Sequence, residues 1–467
     1  MPDAGWGIMS LLPLVATLVL AFVTRSALIA MLFGTFSGTL MLGSAPGVGL
    51  NELFQSSLGN ADFIWICQIV VLIGILFELF KRAGVLAALA KKFLSTAGHR
   101  RGVEISAWGM GFVIVDDYFS PLLTGAVMRP MSDRAKIPRE KLAFILDATT
   151  ASVCILVPFT AWGAYIASLI AVQGASIESA DQGLAVFIGA IKYNFYPMLM
   201  LVFTLLIATG LVPDFGPMRK AEHRAARTGA LIRPGAKPLV TAEVEEALDV
   251  AEEREVSLVL ELLMPVLLLI GVGAWTLIQL GSVKIVEAFM LATSWLFLVL
   301  GIRGSFANLS EVADVIVAGT RSVMEALLIV SLAYALNAVT TSLGAGQFII
   351  DQFTSDLSPN SLVLIIFILT ASISFSTGTS WGAYAMMMPV ALPVAFEFTG
   401  GQIEPLVYQT VAAVAGGGIF GDHASPVSDT TVLSSVGAGS DHIDHVVTQL
   451  PYALVIAALT AGLYAWI

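Results

Sequence analysis

The sequence predicts an all-α integral membrane protein, and three observations carry that prediction. The chain of 467 residues is 57% hydrophobic and only 12% charged, and its mean hydropathy of +0.87 lies far outside the range of soluble globular domains. Apolar runs near the roughly 20 residues that a bilayer requires recur along it. The period-two alternation of a membrane barrel is absent, so these runs read as helices. The formal net charge of −11 is concentrated outside the apolar runs and argues against nucleic acid as a partner. Cys67 and Cys154 both fall inside apolar runs, which leaves neither a disulfide framework nor a zinc-ligand set, and no cofactor is expected. Residues 1–7 carry no Lys or Arg ahead of the first apolar run. That run is therefore expected to stay as a membrane helix and not to be cleaved as a signal peptide.

Taken in order, the first spans fall at residues 8–24, 26–43 and 62–80. Residues 44–61 hold no Lys or Arg, whereas Lys81, Arg82, Lys91, Lys92, Arg100 and Arg101 follow the third span. The positive-inside rule places that connection in the cytoplasm and the N-terminus outside. Residues 84–95 read as an amphipathic helix on the inner surface. Residues 104–129 are apolar but interrupted by Asp116-Asp117 and Ser120-Pro121, and they end in Arg129, Arg134, Lys136, Arg139 and Lys141, a second cytoplasmic cluster. A segment that starts and ends on one side is a re-entrant hairpin. Its tip is expected to carry Asp116, Asp117, Tyr118 and Ser120, since irregular backbone at membrane depth is tolerated only where it lines protein or water. Residues 140–172 are too long for one straight span and hold Asp147, Thr149, Thr150 and Pro158, so they read as a broken helix. Residues 195–212 return the chain to the cytoplasm after a short surface helix at 184–191.

Residues 213–257 form the one long polar segment. Arg219, Lys220, Arg224, Arg227, Arg233 and Lys237 are followed there by an acidic stretch over 243–255, and the segment reads as a solvated cytoplasmic linker. The second half then repeats the succession of element types. Spans at 258–280, 285–301 and 322–343 precede a hairpin over 362–398, a broken helix over 406–436 and a last span at 448–467. The charge bias gives the halves opposite orientations. The chain thus reads as two inverted-topology repeats, 1–212 and 258–467, with about ten spanning helices, two re-entrant hairpins, two broken helices and both termini outside. Sites in such folds lie near the midplane where the repeats meet. Asp147-Ala148-Thr149-Thr150 answers Asp429-Thr430-Thr431 in register with the repeat. Two further echoes occur in swapped order: Asp117-Tyr118-Phe119-Ser120-Pro121 with Asp422-His423-Ala424-Ser425-Pro426, and Trp162-Gly163-Ala164-Tyr165 with Trp381-Gly382-Ala383-Tyr384. A simple repeat does not explain both.

Polar groups at membrane depth cost several kcal/mol unless they face a partner or a cavity, so those inside the apolar runs are the candidate site. The run from Gly421 to Thr431 concentrates them, and Pro426 breaks the helix there and frees backbone carbonyls that can hold a cation. Desolvation disfavours the charged form of a carboxylate and a bound cation restores it, so proton and sodium compete for one group. Asp422 is the first choice for that group and Asp117 the second, and the two are expected to share one chamber where the halves meet. Asp116 either joins them or pairs with a basic residue. Asp147 and Asp429 sit beside hydroxyls and either ligate a cation or hydrogen-bond a broken helix. Ser120, Thr149, Thr150, Ser376, Thr377, Thr379, Ser425 and Thr430 offer neutral oxygens suited to a hard cation or to helix capping. Trp162 and Trp381 either wall a pocket or pack. Glu78 beside Lys81 and Arg82, and Glu325 four residues after Arg321, read as surface ion pairs. His442 and His445 with Asp441 and Asp444 read as a solvated turn, with metal binding or pH sensing as the alternatives.

Three stretches carry a family resemblance: Phe375-Ser376-Thr377-Gly378-Thr379-Ser380-Trp381-Gly382, the run from Gly421 to Thr431, and Asp441 to Tyr452. Together they resemble the NhaC-type Na+/H+ antiporters, and Asp116-Asp117-Tyr118 with Arg129-Pro130 and Asp133-Arg134 resembles the matching first half. The resemblance implies a secondary transporter of the ion transporter superfamily type in the inner (plasma) membrane, often dimeric, with Na+ and H+ as transported or coupling ions. It leaves open a small organic acid or amino acid as cargo. An intramembrane aspartyl protease is disfavoured because Gly418-Ile419-Phe420-Gly421-Asp422 departs from the Gly-x-Gly-Asp pattern, and a channel because inverted repeats suit alternating access.

Overall fold

Backbone amides in a bilayer core find no water, so apolar sequence must satisfy them within helices. The computed structural model follows that rule, describing all residues except 1–5, 25, 44–47, 60, 86–87, 89–98, 114, 116, 118, 159, 174–175, 178, 239–254, 281–283, 346–347, 349–357 and 427. Among the described residues the regular structure is helical, apart from one isolated bridge pairing Pro238 with Asp441.

The first half holds α1 (Leu12–Thr24), α2 (Ala27–Met41), α3 (Val48–Leu58), α4 (Ala61–Ala83), α5 (Arg100–Met110), α6 (Phe119–Arg134), α7 (Arg139–Leu156), α8 (Ala161–Ala171), α9 (Ala180–Ala190) and α10 (Phe195–Thr209), with α11 (Gly216–Thr228) following. A π-helical turn (Val259–Leu263) opens the second half, which continues with α12 (Met264–Leu280), α13 (Ile285–Ile302), α14 (Leu309–Ser322), α15 (Met324–Ser342), α16 (Pro359–Thr377), α17 (Ser380–Phe398), α18 (Pro405–Ala424), α19 (Asp429–Ala438) and α20 (His442–Trp466). The expected spans, hairpins and broken helices all appear as helices at these places. Among the described residues three helices are long and apolar enough to cross a membrane alone, and three bent pairs raise that number to six.

Local chemistry sets the interruptions. Ser358 and Ser361 form a capping box at the start of α16, with Pro359 in the first turn, and Gly378 ends that helix at φ +71°. Only two residues separate α16 from α17, so the chain turns back at once. Pro158 stops α7, and Thr160 restarts the chain by accepting the Gly163 amide at 3.2 Å. At the second break Ser428 caps α19, accepting the Thr431 amide, and Gly439 ends α19 at φ +63°. Helices α16, α17 and α18 pack against one another. The Ala412 to Gly418 face of α18 carries side chains no larger than Val, which lets backbones approach. Helix α19 lies against α6 and α7. A Cβ on Gly437 would overlap the carbonyl oxygen of Pro121, and one on Gly125 would overlap the backbone of Gly437, so both positions require glycine.

Two expectations change. The solvated linker is docked in its described part: α11 buries Met218, Ala221 and Ala225. Its flanks are tied down by Lys141, whose Nζ lies 2.9 Å from Asp214, 3.2 Å from Glu104 and 3.2 Å from Glu222. Arg224 also bonds Glu140 at 2.9 Å. Farther on, Arg233 pairs with Asp444 at 2.9 Å and the Lys237 amide donates to Asp441 at 2.7 Å. Burial pushes the Asp441 carboxyl up, but the amides of Lys237, Asp444 and Ile443 outweigh it and hold the group below the usual carboxylate range. The acidic stretch at 243–254 lies outside the described residues, as does most of the helix expected at 84–95. The surface helix expected at 184–191 is α9, and it is buried along Ala180, Gly183, Leu184 and Phe187 where it packs on α8. Glu78 does pair with Lys81, at 3.8 Å.

Candidate functional site

The interruptions bring their polar groups to three connected places, and the break between α18 and α19 holds the densest. Asp422, on the last turn of α18, is 2% exposed. Its Oδ2 accepts the Ser380 amide at 3.1 Å and the Ser380 hydroxyl at 2.7 Å. Its Oδ1 accepts the hydroxyls of Ser428 at 2.6 Å and Thr430 at 3.3 Å. Ser380 opens α17 and Ser428 caps α19, so the carboxyl group sits between two helix N-termini, where backbone dipoles favour negative charge. Among the described residues it pairs with no basic side chain. Ser425 donates to the Phe375 carbonyl at 2.6 Å and so fastens the break to the hairpin.

Asp147 lies on α7, which is buried from Glu140 to Ile155. Gln449 of α20 donates to its Oδ2 at 2.8 Å, and His445 Nε2 stands 3.7 Å from the same oxygen. The Thr431 hydroxyl on α19 donates to the His423 carbonyl at 3.3 Å, Asp147 Oδ1 and the Ser434 hydroxyl are buried without a hydrogen-bond partner among the described residues, and Asp422 is within electrostatic reach. The Gln449 amide also donates to the His423 carbonyl. His445 is fully buried, contrary to the solvated turn expected there, and its Nδ1 contacts the Ser435 hydroxyl at 2.9 Å. His442 contacts that hydroxyl through Nδ1 at 3.3 Å and the Pro426 carbonyl through Nε2 at 2.7 Å. No group of three His, Cys, Asp or Glu suited to a metal ion occurs among the described residues.

The third place is the tip between α5 and α6. Asp117 is 5% exposed and accepts Trp162 Nε1 at 2.9 Å. It faces a cavity of about 400 Å³ whose other walls are largely apolar, including Phe77, Phe80, Phe112 and Phe289. Asp422 is not among the residues lining that cavity. The two carboxyl groups are instead bridged by the repeated Trp-Gly-Ala-Tyr stretches. Trp162 and Trp381 rings lie 5.3 Å apart, Tyr165 and Trp381 4.6 Å, and Trp162 and Tyr384 5.4 Å, while the Tyr165 hydroxyl donates to the Trp381 carbonyl at 2.8 Å. This arrangement accounts for the swapped echoes. In each half one Asp bonds the start of the helix that bears Trp-Gly-Ala-Tyr: Asp117 to Trp162 of α8, and Asp422 to Ser380 of α17.

The remaining candidates divide. Ser120 and Thr150 contact each other at 3.4 Å across α6 and α7. Thr377 bonds the Ile373 carbonyl at 2.9 Å, a helix-end contact. Thr379 caps α17 through its backbone alone. Ser376 is half-buried on the last turn of α16. Among the described residues the Thr149 hydroxyl and Trp381 Nε1 are buried without a hydrogen-bond partner. Asp116 and Tyr118 lie outside the described residues, as do the side chains of Asp429 and Glu325. Sequence reasoning included Ser428 and Ser380 in polar stretches without singling them out, and gave no role to Gln449 or to Tyr196, whose hydroxyl meets His423 Nε2 at 2.6 Å. Gln449 was findable as an amide inside an apolar span, which must be paired at membrane depth.

The sequence profile of the Na+/H+ antiporter family matches residues 153–467, which take in the break at Asp422 and both Trp-Gly-Ala-Tyr stretches. An uncharacterised protein of Haemophilus influenzae is 31% identical, the alignment covering 98% of this chain and 90% of that one. The malate-2H+/Na+-lactate antiporter of Bacillus subtilis is 31% identical over 37% of this chain and 36% of that protein. The crystal structure of the YdaH transporter of Alcanivorax borkumensis has a TM-score of 0.60 at 15% identity, covering 97% of this chain and 98% of that one, a likeness of fold. With its apolar helices and the profile match together, the chain is a multi-pass membrane transporter and belongs to the Na+/H+ antiporter family.

Proposed function

We propose that this secondary transporter exchanges Na+ for H+ by competition at Asp422. The observation that carries the reading is the setting of that carboxyl group: buried, ringed by hydroxyls and one amide, and without a basic partner among the described residues. An uncompensated charge is costly away from water, so the group holds a proton or a cation in turn. Asp422, Ser428 and Thr430 supply the hard oxygens that Na+ takes. Asp117 is the second carboxylate of the exchange, with the cavity as its approach. The halves 1–212 and 258–467 act as inverted repeats with re-entrant hairpins and about ten spans, and alternating access exposes the site to either side. Basic clusters put the 213–257 linker in the cytoplasm and both termini outside the inner membrane, and the assembly is a homodimer.

A second reading rests on the cavity itself. At about 400 Å³ it falls within the size of small-molecule sites, and the similar Bacillus subtilis protein is named for malate and lactate exchange. Reconstitution separates the two. In acid-loaded proteoliposomes Na+ alone should dissipate the pH gradient. An absolute requirement for an organic acid or amino acid would replace the first reading with the second.

A further inference from the structure

We propose that His442, Ser435 and His445 relay protons between Asp147 and the bundle end that carries residues 213–238, an inference that rests on the Na+/H+ reading above. The tautomers follow from the partners. Gln449 must turn its NH2 toward Asp147 and the His423 carbonyl, since both only accept. Its Oε1 then faces His445 Nε2 at 3.0 Å, so that nitrogen carries a proton. The Pro426 carbonyl fixes the same tautomer on His442. Both Nδ1 atoms are left bare, and both point at one hydroxyl. Ser435 has a single proton for three acceptors: His445 Nδ1 at 2.9 Å, His442 Nδ1 at 3.3 Å and the Thr431 carbonyl at 2.8 Å. Between the two Nδ1 atoms alone the hydroxyl is one donor short, and one added proton on either imidazole supplies it. A purely structural role would explain one buried imidazole on Ser435, but not two.

His442 is half-buried at the protein surface while His445 is fully buried beside the carboxylate. His445 faces Asp147 from α7, His423 from α18 and His442 from its own helix. Near His442 stand Asp441 and Asp444, with Arg233 paired to Asp444 and Arg129 and Arg139 at Gly439. The transfer balances as follows. A hydronium ion gives a proton to His442 Nδ1 and leaves as water; that proton passes to Ser435 Oγ as the Ser435 proton passes to His445 Nδ1. The His445 imidazolium then gives its Nε2 proton to Asp147 Oδ2 once the 3.7 Å gap closes, and the first tautomer returns when Nε2 takes a proton back from Asp147 and Nδ1 gives one back to Ser435, the same steps in reverse. Asp147 is within electrostatic reach of Asp422, so loading it with a proton changes the charge balance of the proposed sodium site.

The test uses the full chain in proteoliposomes with an interior pH dye, and sodium tracer counterflow, which needs no net proton transfer, as the parallel readout. Wild type should move protons when Na+ is added; if it does not, the exchange reading itself fails. Given wild-type coupling, H445Q and S435A should each slow proton-coupled exchange on the order of tenfold or more while sodium counterflow persists. Imidazole in the buffer should restore part of the rate to H442Q, whose site water reaches, and none to H445Q. Wild-type coupled rates in H445Q and S435A overturn the relay. So does an equal loss of coupled exchange and counterflow in H442Q, H445Q and S435A, which marks these residues as structural.

Discussion

Asp422→Asn removes a charge and almost nothing else, which makes its expected effect calculable. The amide oxygen can keep the Ser380 amide and hydroxyl, now at 3.1 and 2.7 Å. The NH2 group meets the hydroxyls of Ser428 and Thr430, which turn to accept it. Replacing charge-assisted by neutral hydrogen bonds costs about 1–3 kcal/mol in all, so the variant should fold and unfold only a few degrees early. Loss of the charge is worth about 4 kcal/mol to a cation 4 Å away at an effective dielectric near 20, or roughly a thousandfold in sodium affinity. In acid-loaded proteoliposomes the variant should therefore show no sodium-driven alkalinisation at concentrations that saturate wild type. Full coupled exchange with unchanged pH dependence in Asp422→Asn would refute the assignment.

Other predictions follow from the packing. Lys141→Met takes from Asp214 its one basic partner among the described residues and leaves Glu104 and Glu222 with Arg100 alone. Breaking a buried pair from one side costs about 3–5 kcal/mol, to be read as a lower thermal midpoint in detergent; an unchanged midpoint contradicts it. Gly437→Ala drives a methyl into the Pro121 carbonyl, and overpacking of this kind costs roughly 1–3 kcal/mol. Exchange should fall with it, because α19 carries Thr430; the check is whether rate and midpoint drop together. Asp441 is held below the usual carboxylate range by amides of Lys237, Asp444 and Ile443. Its contribution is therefore present above about pH 3.9 and is lost as pH falls through its lower folded value. Amide exchange over residues 231–238 should quicken in that acid window in wild type but not in Asp441→Asn, already loosened at neutral pH.

Helix order was readable from the sequence because apolar length and breakers act locally. Pro158, Pro426 and the Gly378 turn end helices for reasons contained within a few residues. The same holds for Asp422, which announced itself as a carboxylate at membrane depth. What stayed hidden depends on which helices meet. Nothing near Ser380 in the chain indicates that its amide bonds a carboxylate 42 residues on. Gln449 and Asp147 are 302 residues apart. The polar composition of 213–238 suggested solvent, yet Asp214, Glu222, Arg224 and Arg233 pair with groups on α5, α7 and α20, a pairing that composition does not specify. The swapped echoes looked like a failure of repeat symmetry; in space the two Trp-Gly-Ala-Tyr stretches stack, and each half's Asp supports the helix that carries one of them.

Competition at one carboxylate is tested most directly by calorimetric sodium titration of the purified protein at several pH values in buffers of different ionisation heat. Competition predicts proton release on sodium binding, an apparent Kd that rises about tenfold for each pH unit of acidification where the site is protonated, and loss of both in Asp422→Asn. Sodium binding that is independent of pH, releases no proton, or survives in Asp422→Asn would contradict it.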